Sequence, residues 1–427
     1  MLSVFKKFFY FHLASYFKFF AAIRLRRWNP KVIVVTGSNG KTTLLHMLDA
    51  QLGEKAKVSH HANSAFGVPF DILGLHRESM QDTEWFDLFL KAPQKAFGSV
   101  PKEKIYIVEA DADRPGEGKF LAELLKPEVV LWVSVGRTHS MHFDTLVADK
   151  SFKTVEEAIA YEFGYFIEHA TELVILNGDS SLQSSQTYRT KAQIESIKKS
   201  EALNSYDVTK EGTTFTLTKQ KYLFSGLLPE EVYLSIAMCK KALEHIDEHF
   251  DPKFHHFVLP PGRGTILQGK NHSIVVDSTY NGNLGSIKAM LAMFRQFPHK
   301  KKWLILGDMK ELGEETKEEH EKLAKLINAM EVEKVVLVGS LVQEFTLPLV
   351  EKDVVGFATA PDALLYIREH LSGGEGILLK GSASVHLEGI VEKLLAHTKD
   401  AELLPRQTDF WKKKREGIGF PEIDSDF

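Results

Sequence analysis

Residues 32–43 read VIVVTGSNGKTT: four β-branched residues, a turn with two glycines, then a lysine and two threonines. Val32, Ile33, Val34 and Val35 suit a buried parallel strand, where both faces are covered and apolar residues run without alternation. Gly37 and Gly40 permit the sharp turn that must follow. Leu44, Leu45, Met47 and Leu48 then recur at helical spacing. A strand, a glycine loop and a helix start make a phosphate cradle, with backbone N–H groups and the helix dipole facing the anion. In that cradle Lys41 reaches the terminal phosphates and the Thr42 hydroxyl ligates magnesium, with Gly37, Ser38, Asn39, Gly40 and Thr43 completing the loop. Val35 stands where the common nucleotide loop has its first glycine, so the pattern is a variant. A chance Gly-Lys-Thr turn is the weaker explanation, given the strand before it.

The chain has 427 residues, more than one ordinary core accommodates, so two or three domains are expected. A net charge of -4 gives no reason to expect a nucleic-acid partner. The single cysteine, Cys239, excludes an internal disulfide framework and a cysteine-rich zinc site, which suits a reducing cytoplasm. It sits in a helix-like stretch and reads as a buried structural thiol. Residues 1–30 are distinct: no acidic residue occurs before Asp49, and lysines and arginines interleave with phenylalanines and tyrosines. The charges interrupt the apolar run too often for a spanning helix, and no small-residue cleavage site marks a signal peptide. Two readings stand: a basic aromatic amphipathic helix on an anionic membrane surface, or a helix packed on the first domain or on a partner subunit.

From residue 31 to about residue 179, strand-like runs at 105–108, 129–133 and 173–176 alternate with helical runs at 118–125 and 155–167. That alternation predicts a mostly parallel sheet covered by helices. Residues 180–225 turn polar, which predicts a small antiparallel insertion, followed by a helix over 229–249. Past Pro260-Pro261-Gly262 a second α/β series begins, with strands at 273–276, 303–306, 334–338 and 376–379 and helices at 284–297, 317–330 and 362–370. The expected division is 1–30, a central domain over 31–258, a Rossmann-like domain over 259–408 and a loosely ordered tail over 409–427.

Polar clusters sit at strand ends, where α/β proteins place ligands. Glu109 opens EADADRPGEG and is placed to hold magnesium, with Asp111 and Asp113 as competitors and a solvated acidic loop as the alternative. His139 follows the next strand, in VSVGRTHS, at an equivalent edge. Arg263, in PPGRGT, can clamp a phosphate bidentately. Asp277 and Asn281 lie in VVDSTYNGNLGS, where a plain turn is the alternative. Asp308, Lys380 and Ser382 follow later strands.

These segments resemble the Mur ligases of peptidoglycan synthesis. TGSNGKTT, HANSAFGVP, VEADADRPGE, LLKPEVVLWVSVGRTH, VILNGD, PPGRG, DSTYNGNLGSIKAM, LGDMKELGEE and LLKGSASVHLE occur in the family's order over about residues 31–395. The chain is most similar to the branch that adds D-alanyl-D-alanine to a UDP-muramoyl tripeptide. The resemblance implies a central P-loop ATPase domain, a C-terminal Rossmann-like domain, and the cofactors ATP and Mg2+. It implies that ATP phosphorylates a substrate carboxylate and that an amino acid or dipeptide amine attacks the acyl phosphate. Lys41 would bind the β/γ-phosphates and Arg263 would help on closure. Thr42 and Glu109 would hold one magnesium and His139 a second, while Asn177, Asp277 and Asn281 would line the nucleotide between the domains.

Three departures accompany the resemblance. About thirty residues precede the loop, where the family carries a UDP-sugar-binding domain. Phe163 stands where it carries a carbamoylated lysine; Lys150, Lys153 and Glu162 are the nearby substitutes. Glu230-Glu231 replaces a usual His-Asn pair. The expected function is therefore an amide-forming ligase acting on a muramoyl peptide or a related carboxylate. It would be cytoplasmic, with residues 1–30 meeting either the inner membrane face or a partner subunit. The alternative is a catalytically altered nucleotide-binding subunit or scaffold of a cell-wall complex.

Overall fold

The computed structural model describes residues 2–60, 62–76, 84–138 and 140–420. They form two compact units, one of residues up to Ala202 with Leu234–Phe257, the other of Leu203–Tyr233 with residues from Val258 on.

In the first unit α1 (Leu2–Trp28) precedes β1 (Lys31–Thr36), whose residues from Val32 on are buried. The turn at Gly40 releases α2 (Lys41–Leu52). Then come β2 (Ala56–Ser59), α3 (Gly67–Leu73), α4 (Glu84–Phe97) and β3 (Ile105–Ala110). They are followed by α5 (Glu117–Leu125), β4 (Val129–Trp132), α6 (Asp144–Ala148), α7 (Val155–Glu168) and β5 (Leu173–Asn177). α8 (Ser181–Ser184), β6 (Gln193–Ile197) and α9 (Lys199–Ala202) complete the stretch. The strand order is β2-β3-β1-β4-β5-β6 with every neighbouring pair parallel. All six carboxyl ends therefore share one edge. The chain builds β2 and β3 on one side of β1 and then crosses to β4 on the other, which makes the end of β1 the switch point where such sheets bind ligands. One expectation is corrected here: Gln193–Ile197, expected in an antiparallel insertion, pairs parallel with β5 as an edge strand.

α1 packs into this unit from Tyr10 to Trp28. Ala14, Phe17, Ala21, Leu25 and Trp28 recur every three or four residues and are buried, one stripe of a helix facing a core. Its polar groups answer a defect in α4. Pro93, inside α4, has no N–H, so the carbonyl four residues earlier loses its helical donor. That carbonyl, on Phe89, accepts the Tyr16 hydroxyl at 2.8 Å. At the end of α4, where carbonyls also lack helical donors, Arg27 donates to Ala96 O at 2.7 Å and Gly98 O at 2.9 Å, and Arg24 donates to Lys95 O. These contacts favour the packed reading of residues 10–28.

The second unit begins with an antiparallel meander, β7 (Leu203–Val208), β8 (Thr213–Leu217) and β9 (Gln220–Phe224). α10 (Val232–His245) follows in the chain and from Leu234 on belongs to the first unit; its Cys239 is fully buried and burial pushes the thiol up, so it is a core residue. Then come β10 (Thr265–Gln268), β11 (Ile274–Asp277), α11 (Leu284–Gln296), β12 (Lys302–Gly307) and α12 (Thr316–Asn328). β13 (Lys334–Val338), β14 (Val354–Phe357), α13 (Ala360–His370), β15 (Gly376–Lys380), α14 (Glu388–Leu394) and α15 (Asp409–Glu416) complete it. The sheet order is β10-β11-β15-β12-β13-β14, antiparallel only between β10 and β11.

The tail is not loose as far as it is described. Glu388, fully buried, accepts two bonds from Arg406 at 2.8 and 2.7 Å, and Arg415 of α15 lies 3.7 Å away. Arg406 also donates to Thr279 O at 2.8 Å and Tyr280 O at 2.9 Å, and Arg415 donates to Arg406 O at 2.8 Å. Burial alone would raise the Glu388 carboxyl, but the Arg406 bonds outweigh it and bring the pKa down to about 2.

Two stability outcomes follow from these contacts. Phe17→Ala should cost about 3–5 kcal/mol, since it empties a fully buried aromatic site. Phe19→Ala, on the exposed face of the same helix, should stay within about 0.5 kcal/mol. Chemical denaturation of both variants measures this. For Glu388 the folded pKa lies below its ordinary 4.5, so the stabilisation, about 3 kcal/mol, is present above pH 4.5 and lost as pH falls toward 2. The melting-temperature gap between the native chain and Arg406→Ala should therefore be wide at neutral pH and close in acid.

Candidate active site

The loop between β1 and α2 is held by the segment that follows β4. Gly37 has a φ of 126°, and a Cβ there would lie 2.7 Å from the backbone N and O of Ser134. Gly40, at φ 88°, would meet Val133 Cγ1 at 2.8 Å. Only glycine fits both the conformation and the approach. Ser38 Oγ donates to Gly136 O at 2.7 Å and accepts from Gly136 N at 2.8 Å. Ser134 Oγ accepts from Asn39 N and donates to Asn39 O, each at 2.8 Å. Three loop groups, the Ser38 hydroxyl and the N–H and carbonyl of Asn39, are thus fixed before any ligand arrives. Lys41, Thr42 and Thr43 form the first turn of α2, whose N–H groups have no helical acceptor and face the sheet edge.

Lys41 is 7% exposed, and its ammonium touches Asp111 Oδ1 at 2.8 Å and bonds the Gly37 carbonyl. Burial alone would lower its pKa; Asp111 first and then Glu109 outweigh it, and the net shift is upward. The lysine is therefore a fixed cation at physiological pH. Asp111 is itself oriented, because its Oδ2 accepts from Asn63 Nδ2 at 2.8 Å and its N–H donates to Asn63 O at 2.8 Å. Asn63 belongs to HANSAFGVP, whose order matched the family but whose individual residues were given no role. Thr42 Oγ1 donates to Glu109 Oε2 at 3.0 Å. Glu109 lies in β3, opposite Val35 of β1, so the strand register delivers it to the loop.

A hydroxyl and a carboxylate this close form half of a hard-oxygen set of the kind magnesium takes, the remainder coming from phosphate oxygens and water. The residues present fit that ion. His139 lies outside the described residues. Of the substitutes for the family's modified lysine, Glu162 is engaged elsewhere: it accepts from Gly116 N at 2.9 Å and Gly118 N at 3.1 Å, capping α5. Phe163 is core, packed on Trp132. The Lys153 N–H donates to Glu157, and Lys150 takes a positive φ in an exposed turn. Asn177, at the end of β5, accepts from Asp179 N at 3.0 Å and shapes its own turn.

The second unit has its own polar edge. Asp277, at the end of β11, is fully buried; Oδ1 accepts from Thr279 N at 3.0 Å and Thr279 Oγ1 at 2.7 Å, while Oδ2 has no hydrogen-bond partner. Burial pushes this carboxyl up to about 6, against the pull of the Thr279 bonds. Lys380, at the end of β15, donates to Asn281 O at 2.9 Å and Ser278 Oγ at 3.3 Å. Burial, with Arg263 adding to it, brings the Lys380 ammonium down to about 7. The Arg263 guanidinium stacks 4.4 Å from the Tyr280 ring centroid. Gly262 takes a φ of 71°, and a Cβ there would lie 2.9 Å from both Tyr280 N and Pro405 Cγ, so only glycine fits. Ser382 accepts from Lys310 N at 3.0 Å, and Asp308 holds Lys310 Nζ at 2.7 Å and Val342 N at 2.9 Å, which are structural tasks. Arg263, Asp277 and Asn281 are thus neighbours, and Arg406, which fixes the carbonyls of Thr279 and Tyr280, had no local signal in the sequence.

Comparison with known proteins covers both units. UDP-N-acetylmuramoyl-tripeptide--D-alanyl-D-alanine ligase of Borreliella burgdorferi is 25% identical over 390 residues, 87% of this chain and 76% of that protein. The Bacillus subtilis enzyme of the same name is 25% identical over 383 residues, covering 87% and 77%. Among solved structures, the MurF ligase of Thermotoga maritima in complex with ADP superposes with a TM-score of 0.72 at 22% identity, over 91% of this chain and 84% of that one. The Mur ligase middle domain model matches residues 35–233 and the Mur ligase glutamate ligase domain model residues 262–383. The chain belongs to the Mur ligase family.

Proposed function

We propose that this chain is an ATP-dependent ligase that joins a carboxylate of a muramoyl peptide to the amine of D-alanyl-D-alanine or a similar acceptor. One observation carries the reading: a buried, permanently charged lysine at the switch point of a parallel sheet, beside a threonine hydroxyl and a glutamate 3.0 Å apart. The names of the relatives supply the substrate class.

ATP supplies the phosphoryl group that converts the carboxylate into an acyl phosphate, releasing ADP. The amine then attacks the carbonyl carbon, the C–O bond to phosphate breaks, and the nitrogen loses a proton. Such transfers depend on positioning and on neutralising charge at the phosphoryl oxygens. Lys41 supplies that neutralisation from a site poor in water, where a charge acts more strongly than in solvent. Its resting partner Asp111 holds the ammonium in position until phosphate oxygens replace it. Thr42 and Glu109 are the residues that would hold magnesium. The second unit carries its own cationic and polar edge in Arg263, Asp277, Asn281 and Lys380. The low cysteine count and the need for ATP support a cytoplasmic location; no described helix is long and apolar enough to cross a membrane.

The test is ATP turnover by the purified chain on muramoyl peptides, free and lipid-linked, with D-alanyl-D-alanine and other amines. Phosphate release that requires both an acid and an amine, with an amide in the product mass, is the expected result. Lys41→Ala should lower turnover at least about a hundredfold. Nucleotide binding without turnover on any acid–amine pair would instead support a non-catalytic subunit.

A further inference from the structure

α4 carries apolar residues on two faces, and only one of them is used. Leu88, Ala92 and Ala96 are buried in the first unit's core. Phe86, Leu90 and Phe97 form a second stripe, spaced four and seven residues apart, and are 72%, 54% and 65% exposed. A surface helix needs one apolar stripe; a second, built of large side chains, marks a contact surface. α1 lies alongside and extends it. Its Tyr16 and Phe17 meet Phe89 of α4, and on its outward side Phe19 is 62% exposed. The hydrogen bonds from Tyr16, Arg24 and Arg27 to α4 carbonyls fix the two helices as one ledge.

The charge around the ledge identifies what it meets. The whole chain has a net charge of -4, yet α1 contains six lysines and arginines and no acidic residue. Arg24, Arg26 and Arg27 end α1 beside the end of α4, which adds Lys95. Asp87 of α4 pairs with Lys91 and Lys18 of α1 pairs with Glu123, while Glu84 lies at the opposite end of α4 from the arginines. Arg24 and Arg27 donate to neutral carbonyls, so their charges are not cancelled there. Exposed phenylalanines bordered by cations match a bilayer surface, where rings enter the boundary between headgroups and acyl chains and the cations face anionic lipid. No described helix is long and apolar enough to span a membrane, so the contact lies in the interface plane.

We infer that α1 and α4 together form a docking surface for anionic lipid membrane, independently of which bond the enzyme makes. The same ledge reaches the ATP-binding unit's acidic loop: Tyr10 donates to Glu117 Oε1 at 3.1 Å, and Glu117 also accepts from Ala65 N at 2.8 Å and Asp113 N at 3.2 Å.

The test is co-sedimentation of the full chain with vesicles of phosphatidylcholine alone and of an equal mixture with phosphatidylglycerol. Binding to the mixed vesicles should be at least about tenfold stronger and should weaken with added salt. A triple variant, Phe86→Ser, Leu90→Ser and Phe97→Ser, should lose that binding while keeping its melting temperature and its ATP binding, because the three side chains are exposed. Absence of binding to mixed vesicles, or equal binding to both vesicle types, would overturn the inference. So would a dimer in solution that the triple variant dissociates, since the ledge would then be covered by a second copy. Nucleotide binding, measured separately, reports on the proposed reaction and is unaffected by either outcome.

Discussion

A buried ammonium must be surrounded by acceptors, and around Lys41 this requirement organises the first unit. Removing a lysine from water is costly unless anions or carbonyls replace the lost hydration. Asp111 and the Gly37 carbonyl do so here, and Glu109 adds to the field. Each is delivered by a different element: Gly37 by the turn after β1, Glu109 by the register of β3, and Asp111 by the loop that Asn63 orients. The glycine loop can hold its shape only because the segment after β4 bonds it from the other side. A sheet with any of those three strands out of register would leave the charge unpaired. The site is thus an outcome of strand order more than of any single motif.

The second unit solves a similar problem at Glu388. This carboxylate is fully buried, and its pairing with Arg406 draws the tail across the loop that follows β11. Arg406 then uses its remaining donors on the carbonyls of Thr279 and Tyr280, next to Asp277 and Asn281. Asp277 itself keeps one oxygen without a partner in a buried position, a state that costs stability and suits a ligand-binding group. One buried salt bridge therefore stabilises the unit and shapes its polar edge.

What was legible in the sequence follows the same physics. β1, β3, β4 and β5 are buried on both faces, so they read as unbroken apolar runs. Edge strand β6 reads QIESI and is largely exposed, so nothing in its composition distinguished it from the meander that follows. α15 reads DFWKKKRE, a polar helix whose order depends on Arg415 meeting Glu388 and Glu392, partners distant in sequence. Lys41, Thr42 and Glu109 were legible because loop chemistry and strand ends dictate them. Arg406 and Asn63 were not, since their roles arise from contacts made only after folding. Glu162 was misread as a substitute ligand because proximity in sequence says nothing about direction; its carboxylate turns toward the N–H groups at the start of α5. The packing of α1 was left open because Pro93 creates its binding partner, and a proline's orphaned carbonyl carries no label in sequence.

The central claim is that the cradle around Lys41 serves phosphoryl transfer to a carboxylate. It is tested most directly with a muramoyl-peptide substrate whose reacting carboxylate carries a heavy oxygen isotope, followed by mass analysis of the inorganic phosphate released with ATP and the amine acceptor. An acyl phosphate requires one labelled oxygen to move from the carboxylate into phosphate, and this account predicts that transfer. Amide formation with unlabelled phosphate would contradict it.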